Sequence, residues 1–301
     1  MKKKYNIFKI LFLSTLSIYL ILALTYLSKP EKNIFEFIGF KYAMSDERLS
    51  IISEKVLSLN NITEINFNLD VDDITFIDNS DEKIKIIEKS TNKLAENKTL
   101  QFNHKNNKID IYRSSKLNIN RLDKSFKREV IVYLPKSYNK NININISLGN
   151  IKFLSDLKLN KLEIYLNTGD ININNSIKCK SFIIECNNGN TNISNLLSNE
   201  YGISFNTGNV YISNLSGKGY INTTIGNLTC NISDLTGNSD FSSSIGDIIL
   251  NINKKLNFKI NTSCDIGNIK TDFTENHIIK NSSNELNIDC GCGNIEINKS
   301  Y

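Results

Sequence analysis

Few side chains in this sequence are placed where they could do acid–base chemistry. Cleavage of a glycosidic bond needs two carboxyl groups about 5–10 Å apart. In the Gly-Asn/Asp turns that recur along the chain, only Asp170 and Asp247 are acidic, and stacked turns would hold them roughly 19 Å apart. His104 and His277 are remote from each other in sequence and are expected at the surface. We therefore expect no catalytic residues and no enzyme, with a polysaccharide-active β-helix as the remote alternative.

The same turns are poor candidates for a metal site. Calcium-binding β-rolls repeat a nine-residue Gly-Gly-x-Gly-x-Asp unit that supplies carboxylates in every turn. Here the period is near twenty residues and most turns carry Asn, whose neutral amide oxygen alone is a weak calcium ligand. We expect no bound metal and no cofactor.

The cysteines are more simply structural than catalytic. Cys186, Cys264 and Cys290 each lie three residues before a turn glycine, where another repeat has Ile146, so we expect buried thiols. Cys264 and Cys290 fall in adjacent repeats, so a disulfide between them is an alternative. A metal or redox role for Cys290 and Cys292 is a third possibility, although the spacing is not that of a zinc site. The six cysteines are Cys179, Cys186, Cys230, Cys264, Cys290 and Cys292.

The turn motif itself is the strongest pattern in the sequence. Eight Gly-Asn or Gly-Asp pairs follow one another at intervals of 18 to 26 residues. Mostly apolar residues recur two and four positions after each Gly and five positions before it. Alternate side chains of a strand face opposite sides, so each repeat predicts a strand, a corner and a second strand. The structural turn residues are Gly149, Asn150, Gly169, Asp170, Gly189, Asn190, Gly208, Asn209, Gly226, Asn227, Gly246, Asp247, Gly267, Asn268, Gly293 and Asn294.

These repeats predict an all-β fold. A unit of about twenty residues cannot bury its apolar face alone, so neighbouring units must stack on a shared core. We predict a single-stranded β-solenoid (β-helix) of about eight coils, preceded by an N-terminal transmembrane helix. A meander of β-hairpins is the alternative. The turn asparagines tolerate left-handed backbone and can hydrogen-bond along a stack, which favours a stabilising role over a ligand-binding strip.

The chain before the repeats predicts further strands and one short helix. Alternation begins near residue 62, and apolar strands follow around residues 84–86, 109–111 and 130–134, the last closed by Pro135. Residues 45–48 (Ser-Asp-Glu-Arg) precede an apolar-periodic stretch and predict a capped helix to about residue 57.

The N-terminus predicts a membrane anchor. Residues 10–27 contain no charge and follow four lysines, which by the positive-inside rule keeps the N-terminus in the cytoplasm. A cleaved signal peptide is the alternative, although no clear cleavage site follows. The predicted organisation is a cytoplasmic tail (1–9), a transmembrane anchor (10–28), a juxtamembrane connector (29–60) and a β-solenoid domain (61–298), with the Gly-Asn/Asp repeats over 141–298.

Charge argues against a nucleic-acid partner. The net charge is +5, but four lysines lie in the first nine residues, and the remainder has 32 basic against 31 acidic side chains. A nearly neutral body lacks the basic footprint of nucleic-acid binding. The expected partners are the lipid bilayer through residues 10–28, and the cell wall or another envelope protein, with no small-molecule substrate.

The order of these patterns resembles a known bacterial family. The alternating stretch from Ile65 to Phe76, the run from Ile131 to Pro135 and the Gly-Asn/Asp repeats are similar to the "putative adhesin" family of β-strand-repeat envelope proteins, a domain of unknown function. The resemblance covers residues 60 to 298. It implies a β-helical domain displayed outside a membrane.

These inferences together predict a single-pass cell-membrane protein whose bulk is extracytoplasmic. The expected function is that of a non-catalytic adhesin or cell-envelope interaction module, because the long sides of a solenoid make extended binding surfaces. A regulatory partner in envelope-stress signalling, acting through the membrane helix or connector, is the alternative.

Overall fold

The computed structural model describes residues 49–114, 126–273 and 282–300, which fold into strands with one short 3₁₀ helix at Glu96–Lys98. The strands before the repeats are β1 (Ser50–Ser58), β2 (Glu64–Val71), β3 (Asp73–Asn79), β4 (Lys83–Ser90), β5 (Leu100–Lys105), β6 (Lys108–Arg113) and β7 (Arg128–Pro135). The strands of the repeats are β8 (Asn141–Leu148), β9 (Ile151–Phe153), β10 (Leu157–Lys158), β11 (Lys161–Thr168), β12 (Ile171–Asn188), β13 (Thr191–Thr207), β14 (Val210–Ile225), β15 (Leu228–Ile245), β16 (Ile248–Asn253), β17 (Lys259–Ile266), β18 (Ile269–Thr271), β19 (Glu285–Cys292) and β20 (Ile295–Ser300).

The strands that precede the glycine corners form one parallel ladder, which we call the leading ladder. Its order along the solenoid axis is β6, β2, β8, β11, the second halves of β12 to β15, β19 and β17. Neighbouring coils are in register, so that Ile164 lies between Ile144 and Ile184. All three isoleucines are 0% exposed. The parallel pairing of each coil with a neighbouring coil confirms stacked coils and excludes a meander for this part of the chain.

The strands that follow the corners form a second ladder, the trailing ladder. Its order is β1, β4, β7, β3, β9, the first halves of β12 to β15, β16, β20 and β18. Within the trailing ladder only β4 runs against its two neighbours, β1 and β7. At the end of the leading ladder, β5 pairs antiparallel with β6. Apolar side chains from both ladders join in one continuous core, which accounts for a large share of the stability.

The order of the last two coils along the axis differs from their order along the chain. β15 and β16 pair with β19 and β20, not with β17 and β18. β17 and β18 pair in turn with the far sides of β19 and β20. The coil of residues 285–300 is therefore inserted between its two predecessors, and the coil of residues 259–271 ends the solenoid.

The predicted capped helix is wrong over its described part. Residues Ser50–Ser58 form the edge strand β1, antiparallel to β4. Glu54 forms an ion pair with Lys85 at 2.9 Å, and the Ser53 hydroxyl donates to Glu88 Oε2 at 3.0 Å. Pairing with a neighbouring strand outweighs the weak local helix signal.

The predicted membrane anchor cannot be compared with the structure. Residues 1–9 and 10–28, and the connector up to residue 48, lie outside the described residues. Among the residues that are described, none forms a helix with the length and apolarity to cross a bilayer.

Candidate functional site

The eight turn glycines stack into a corner column that only glycine can occupy. Each has a φ between 142° and 154°, a region that L-residues with side chains rarely adopt. A Cβ on Gly208 would lie 1.6 Å from the Gly189 carbonyl oxygen, and one on Gly189 would lie 1.7 Å from that of Gly169. The glycines therefore allow the backbones of neighbouring coils to stack closely. They have no side chain that could contact a ligand at the corner.

The residue after each glycine forms a hydrogen-bonded corner ladder. The Oδ1 atom of one coil accepts the backbone N–H of the next, as from Asn209 to Asn190 (3.0 Å) and from Asn227 to Asn209 (2.8 Å). Asp170 and Asp247 do the same for Asn190 and Asn294, at 2.8 Å and 2.7 Å. The two aspartates therefore stabilise the stacking of neighbouring coils. The ladder runs through Asp73, Asn150, Asp170, Asn190, Asn209, Asn227, Asp247, Asn294 and Asn268.

Asp72 replaces glycine at the N-terminal end of the corner column and belongs to a buried ionic cluster. Arg113 donates to the carboxylates of Asp72 and Glu88. Arg128 donates to Asp72 Oδ2 at 3.1 Å and to the Val71 carbonyl at 3.0 Å. The four charged side chains are at most 2% exposed. Removing these charges from water carries a substantial desolvation penalty, which the ion pairs and hydrogen bonds offset.

Burial and neighbouring charges shift the pKa values of three side chains in the buried ionic cluster. Burial raises the pKa of Asp72, against the opposing charges of Arg113 and Arg128. Burial acts to lower the pKa of Arg113, but Asp72 and Glu88 outweigh it and the net shift is upward. Burial also lowers the pKa of Arg128. Shifts of this kind occur in catalytic sites and in structural ion-pair networks alike.

The hydrogen bonds of the buried ionic cluster indicate that its role is to stabilise the fold. Asp72 Oδ2 also accepts the Asp70 N–H at 3.3 Å, and Glu88 Oε2 accepts the Leu100 N–H and the Ser53 hydroxyl, both at 3.0 Å. Every carboxylate oxygen of Asp72 and Glu88 thus has a protein partner. The cluster ties β1, β4 and β5 to the first corner and closes this end of the core.

The candidate binding site is a shallow cleft of ≈ 530 Å³ where β3 and β7 end beside β10. We call it the lysine cleft, after Lys136, Lys158 and Lys178 in its lining. Asp78 at its edge forms an ion pair with Lys136 at 2.8 Å and accepts from the Ser155 hydroxyl at 2.9 Å. These two hydrogen bonds, that of Lys136 foremost, lower the pKa of Asp78.

The other two lysines of the cleft are stacked on each other. Lys158 and Lys178 are directly paired in neighbouring coils, and both side chains are exposed. Within the described part of the chain, neither forms an ion pair with an acidic residue, whereas Asp156 is engaged by the Ser176 N–H at 2.8 Å. Like charges at paired positions are destabilising, and a bound anion would relieve the repulsion. The cleft therefore has the chemistry to hold an anionic group.

The cysteines are free thiols. Cys186 and Cys290 lie buried in the inward column, and Cys264 is half-buried because its coil ends the solenoid. Burial raises the pKa of Cys186 to about 12 and that of Cys179 to about 11, which suppresses the nucleophilic thiolate. Cys264 and Cys290 are paired in register, and their Sγ atoms each contact a corner carbonyl at 3.3 Å. Cys292 is exposed.

The histidines and possible metal ligands are the remaining candidates for a reactive site. His104 lies exposed on β5, and His277 lies outside the described residues. No group of three or more His, Cys, Asp or Glu side chains that could hold a metal ion occurs among residues 49–114, 126–273 and 282–300. Sequence reasoning missed the lysine cleft and the buried ionic cluster. A usable signal for the buried ionic cluster was Arg128, a charged residue that opens a strand whose residues from Val130 onward are mostly apolar.

Comparison with known proteins agrees with this architecture. The family model described as Toastrack DUF4097 matches residues 62–298 of the chain. The chain belongs to the Toastrack DUF4097 family. This confirms the resemblance inferred from the sequence, since a solved structure similar to this chain carries the description "putative adhesin".

Solved structures were found that are similar to the chain at low sequence identity. A "putative adhesin" from Parabacteroides merdae is 15% identical, with a TM-score of 0.53 over 84% of this chain and 97% of that one. A "putative adhesin" from Bacteroides fragilis is 13% identical, with a TM-score of 0.49 over 84% and 98%. A "putative lipid binding protein" from Parabacteroides distasonis is 15% identical, with a TM-score of 0.48 over 81% and 96%. No curated protein matches the sequence.

Proposed function

We propose that this Toastrack chain is a non-catalytic, membrane-anchored module that binds anionic polymers of the cell envelope on the outer side of the membrane. The observation that carries the proposal is the lysine cleft, with Lys158 and Lys178 stacked and exposed on the side of the solenoid. The description of the Parabacteroides merdae structure as a "putative adhesin" is in line with such a role.

The non-catalytic part of the proposal is supported by how the carboxylates are used. Asp170 and Asp247 accept backbone N–H groups in the corner ladder. Asp72 lies in the buried ionic cluster, and Asp78 is held by Lys136. A general acid or base needs to reach a bound substrate, and these carboxylates are already committed to the protein.

The anchoring part is supported by the sequence alone. Residues 10–27 are free of charge over a length that would span roughly 27 Å, near the thickness of a bilayer core. Cell fractionation with N-terminal mass spectrometry tests it. We expect the intact N-terminus in the membrane fraction and the solenoid accessible to external protease. A protein that begins beyond residue 28, or a solenoid protected from protease, would contradict it.

Binding assays test the adhesive part. Purified protein beginning at residue 49, which retains β1, is measured against teichoic acid, peptidoglycan and whole cells. We expect salt-sensitive binding to the polyanion, reduced at least tenfold by the double variant Lys158→Glu/Lys178→Glu. The matched control, Lys254→Glu/Lys255→Glu, makes the same charge change on a distant coil and is expected to bind normally. Equal loss in both variants, or no binding to any envelope material, would refute the proposal.

A further inference from the structure

The terminal coil ends the solenoid with an open edge. β17 pairs with β19 on one side, and no strand of the described chain pairs with its other side. Ile269 is 44% exposed, whereas Ile295, its partner one coil inward, is 0% exposed. Ile266 beside the corner is 68% exposed. This terminal edge, residues 259–266 of β17 with the exposed end of the core behind it, presents backbone donors, acceptors and apolar surface together.

The terminal edge lacks the protection that the edge strand β1 carries. Glu54 and Lys55 place charges in the middle of β1, and a register shift interrupts its pairing between Ile51 and Ser53. Such charges and bulges are how natural edge strands resist pairing with another chain. Between Lys259 and Asp265, β17 has neither a charge nor a proline. The edge strand β1 is therefore guarded, whereas the edge of β17 is open to strand addition.

The direction of the backbone groups fixes which residues can pair across the terminal edge. The Lys259 N–H donates to the Asn284 carbonyl at 2.8 Å, so Lys259 turns its backbone groups toward β19. Along a strand these groups alternate between the two sides. Ile260, Thr262 and Cys264 therefore turn their N–H and C=O groups toward the open edge.

We propose that a second copy of this chain docks on the terminal edge, with the two β17 strands antiparallel about a two-fold axis at Thr262. Ile260 then lies opposite Cys264 of the partner subunit, and Thr262 opposite the partner's Thr262. All of these residues turn their backbone groups outward, and each such antiparallel pair exchanges two hydrogen bonds, about six in total. The leading ladder continues from one subunit into the other.

Charge complementarity selects this register over its neighbours. With the axis at Thr262, Lys259, whose ammonium group also pairs with Glu285 of its own chain at 3.1 Å, lies opposite Asp265 of the partner subunit, and the symmetry makes the contact twice. Moving the axis by one residue places Lys259 opposite Ser263 or Gly267 of the other copy, and the ion pairs are lost. Exposed ion pairs contribute little affinity, but opposite charges at paired positions favour one register over another. The dimer does not rest on the proposed function; it would place two lysine clefts on one particle and strengthen multivalent binding.

Symmetric cross-linking tests the proposed axis. Thr262→Cys is introduced into the full chain in its membrane, with Cys264→Ser and Cys292→Ser to remove nearby thiols. Oxidation is expected to produce a covalent dimer on non-reducing gels, because paired residues lie about 5.5 Å apart between Cα atoms, within disulfide reach. Ser263→Cys in the same background, one residue from the axis, is expected to yield several-fold less. Absence of the dimer, or equal yields from the two variants, would overturn the proposal.

Charge exchange tests the register independently. Asp265→Lys alone places lysine opposite the partner's Lys259 and is expected to lower the dimer fraction several-fold in analytical ultracentrifugation of the detergent-solubilised chain. Lys259→Asp/Asp265→Lys restores opposite charges and is expected to recover the dimer. Circular dichroism confirms that each variant is folded. A folded double variant that stays monomeric, or a wild-type chain that forms open-ended polymers, would overturn the proposal.

Discussion

Substituting one corner glycine by alanine is expected to destabilise the solenoid far more than its size suggests. Gly208 lies in the middle of the corner column, with a φ of 146°. An alanine Cβ there would lie 1.6 Å from the Gly189 carbonyl oxygen and 2.6 Å from its carbonyl carbon. Because the obstacle is backbone, it cannot rotate away, and the two coils would have to move apart.

The expected cost can be worked out from the contacts that such a movement breaks. A side-chain residue at this φ costs about 1–3 kcal/mol in backbone strain. Separation of the coils also weakens the hydrogen bond from the Gly189 N–H to the Thr207 carbonyl (3.0 Å) and that from the Asn209 N–H to Asn190 Oδ1 (3.0 Å). Each bond contributes about 1 kcal/mol. The sum is about 3–5 kcal/mol, a large part of the stability of a typical domain.

Urea unfolding followed by circular dichroism measures this cost. A loss of 3–5 kcal/mol moves the midpoint by about 1 M or more. The matched control is Gly237→Ala, whose Cβ would meet only the flexible Lys218 side chain, with the Cδ atom nearest at 2.9 Å. We expect its stability to stay within about 1 kcal/mol of wild type. If Gly208→Ala is as mild as Gly237→Ala, the close-stacked corner column is refuted.

Three further sets of variants probe the ladder, the core and the pH dependence. Asn209→Ala removes the acceptor of the next corner N–H and is expected to cost about 1–2 kcal/mol in urea unfolding, whereas Asn209→Asp keeps the acceptor and should be nearly neutral. Tyr201→Phe breaks the buried 2.9 Å hydrogen bond from Tyr201 to Ser239 Oγ and should cost about 1–2 kcal/mol; Tyr201→Phe/Ser239→Ala should recover part of it, and strict additivity would contradict the pairing. Burial raises the pKa of Cys186 to about 12 from 9.0. The stability that the neutral thiol contributes is therefore complete below pH 9 and is lost as pH rises toward 12. At pH 11 the loss is about 2–3 kcal/mol, and Cys186→Val should show a flatter decline of stability above pH 9.

The repeating part of the fold was predictable because one residue type at one spacing dictates it. A glycine at every corner, with apolar residues two positions after it, as Ile171 follows Gly169, defines both the stacking and the inward face. The hydrogen bonding of the turn asparagines along the stack followed from the same pattern, but none of these asparagines has left-handed backbone. These are local properties repeated often enough to stand out from a single sequence.

Other features depend on contacts that the sequence does not display. The helix predicted before residue 57 is a strand because β4 offers a partner, and that pairing is tertiary. The pattern of turn glycines does not reveal that the coil of residues 285–300 is inserted between its predecessors, because Gly246, Gly267 and Gly293 look alike in the sequence. The lysine cleft arises where β3, β7 and β10 meet, and those strands are far apart along the chain.

A distance between two labels tests stacked coils most directly. Asn145 and Ser242 occupy the same outward column, five coil steps apart. Stacked coils advance about 4.8 Å per repeat, which predicts roughly 24 Å between the backbone positions of the labelled residues. A hairpin meander would advance by two strands per repeat and give roughly 48 Å. Double electron–electron resonance between spin labels on unnatural amino acids at these two positions should find the shorter distance, and a distribution centred near the longer one would contradict the solenoid.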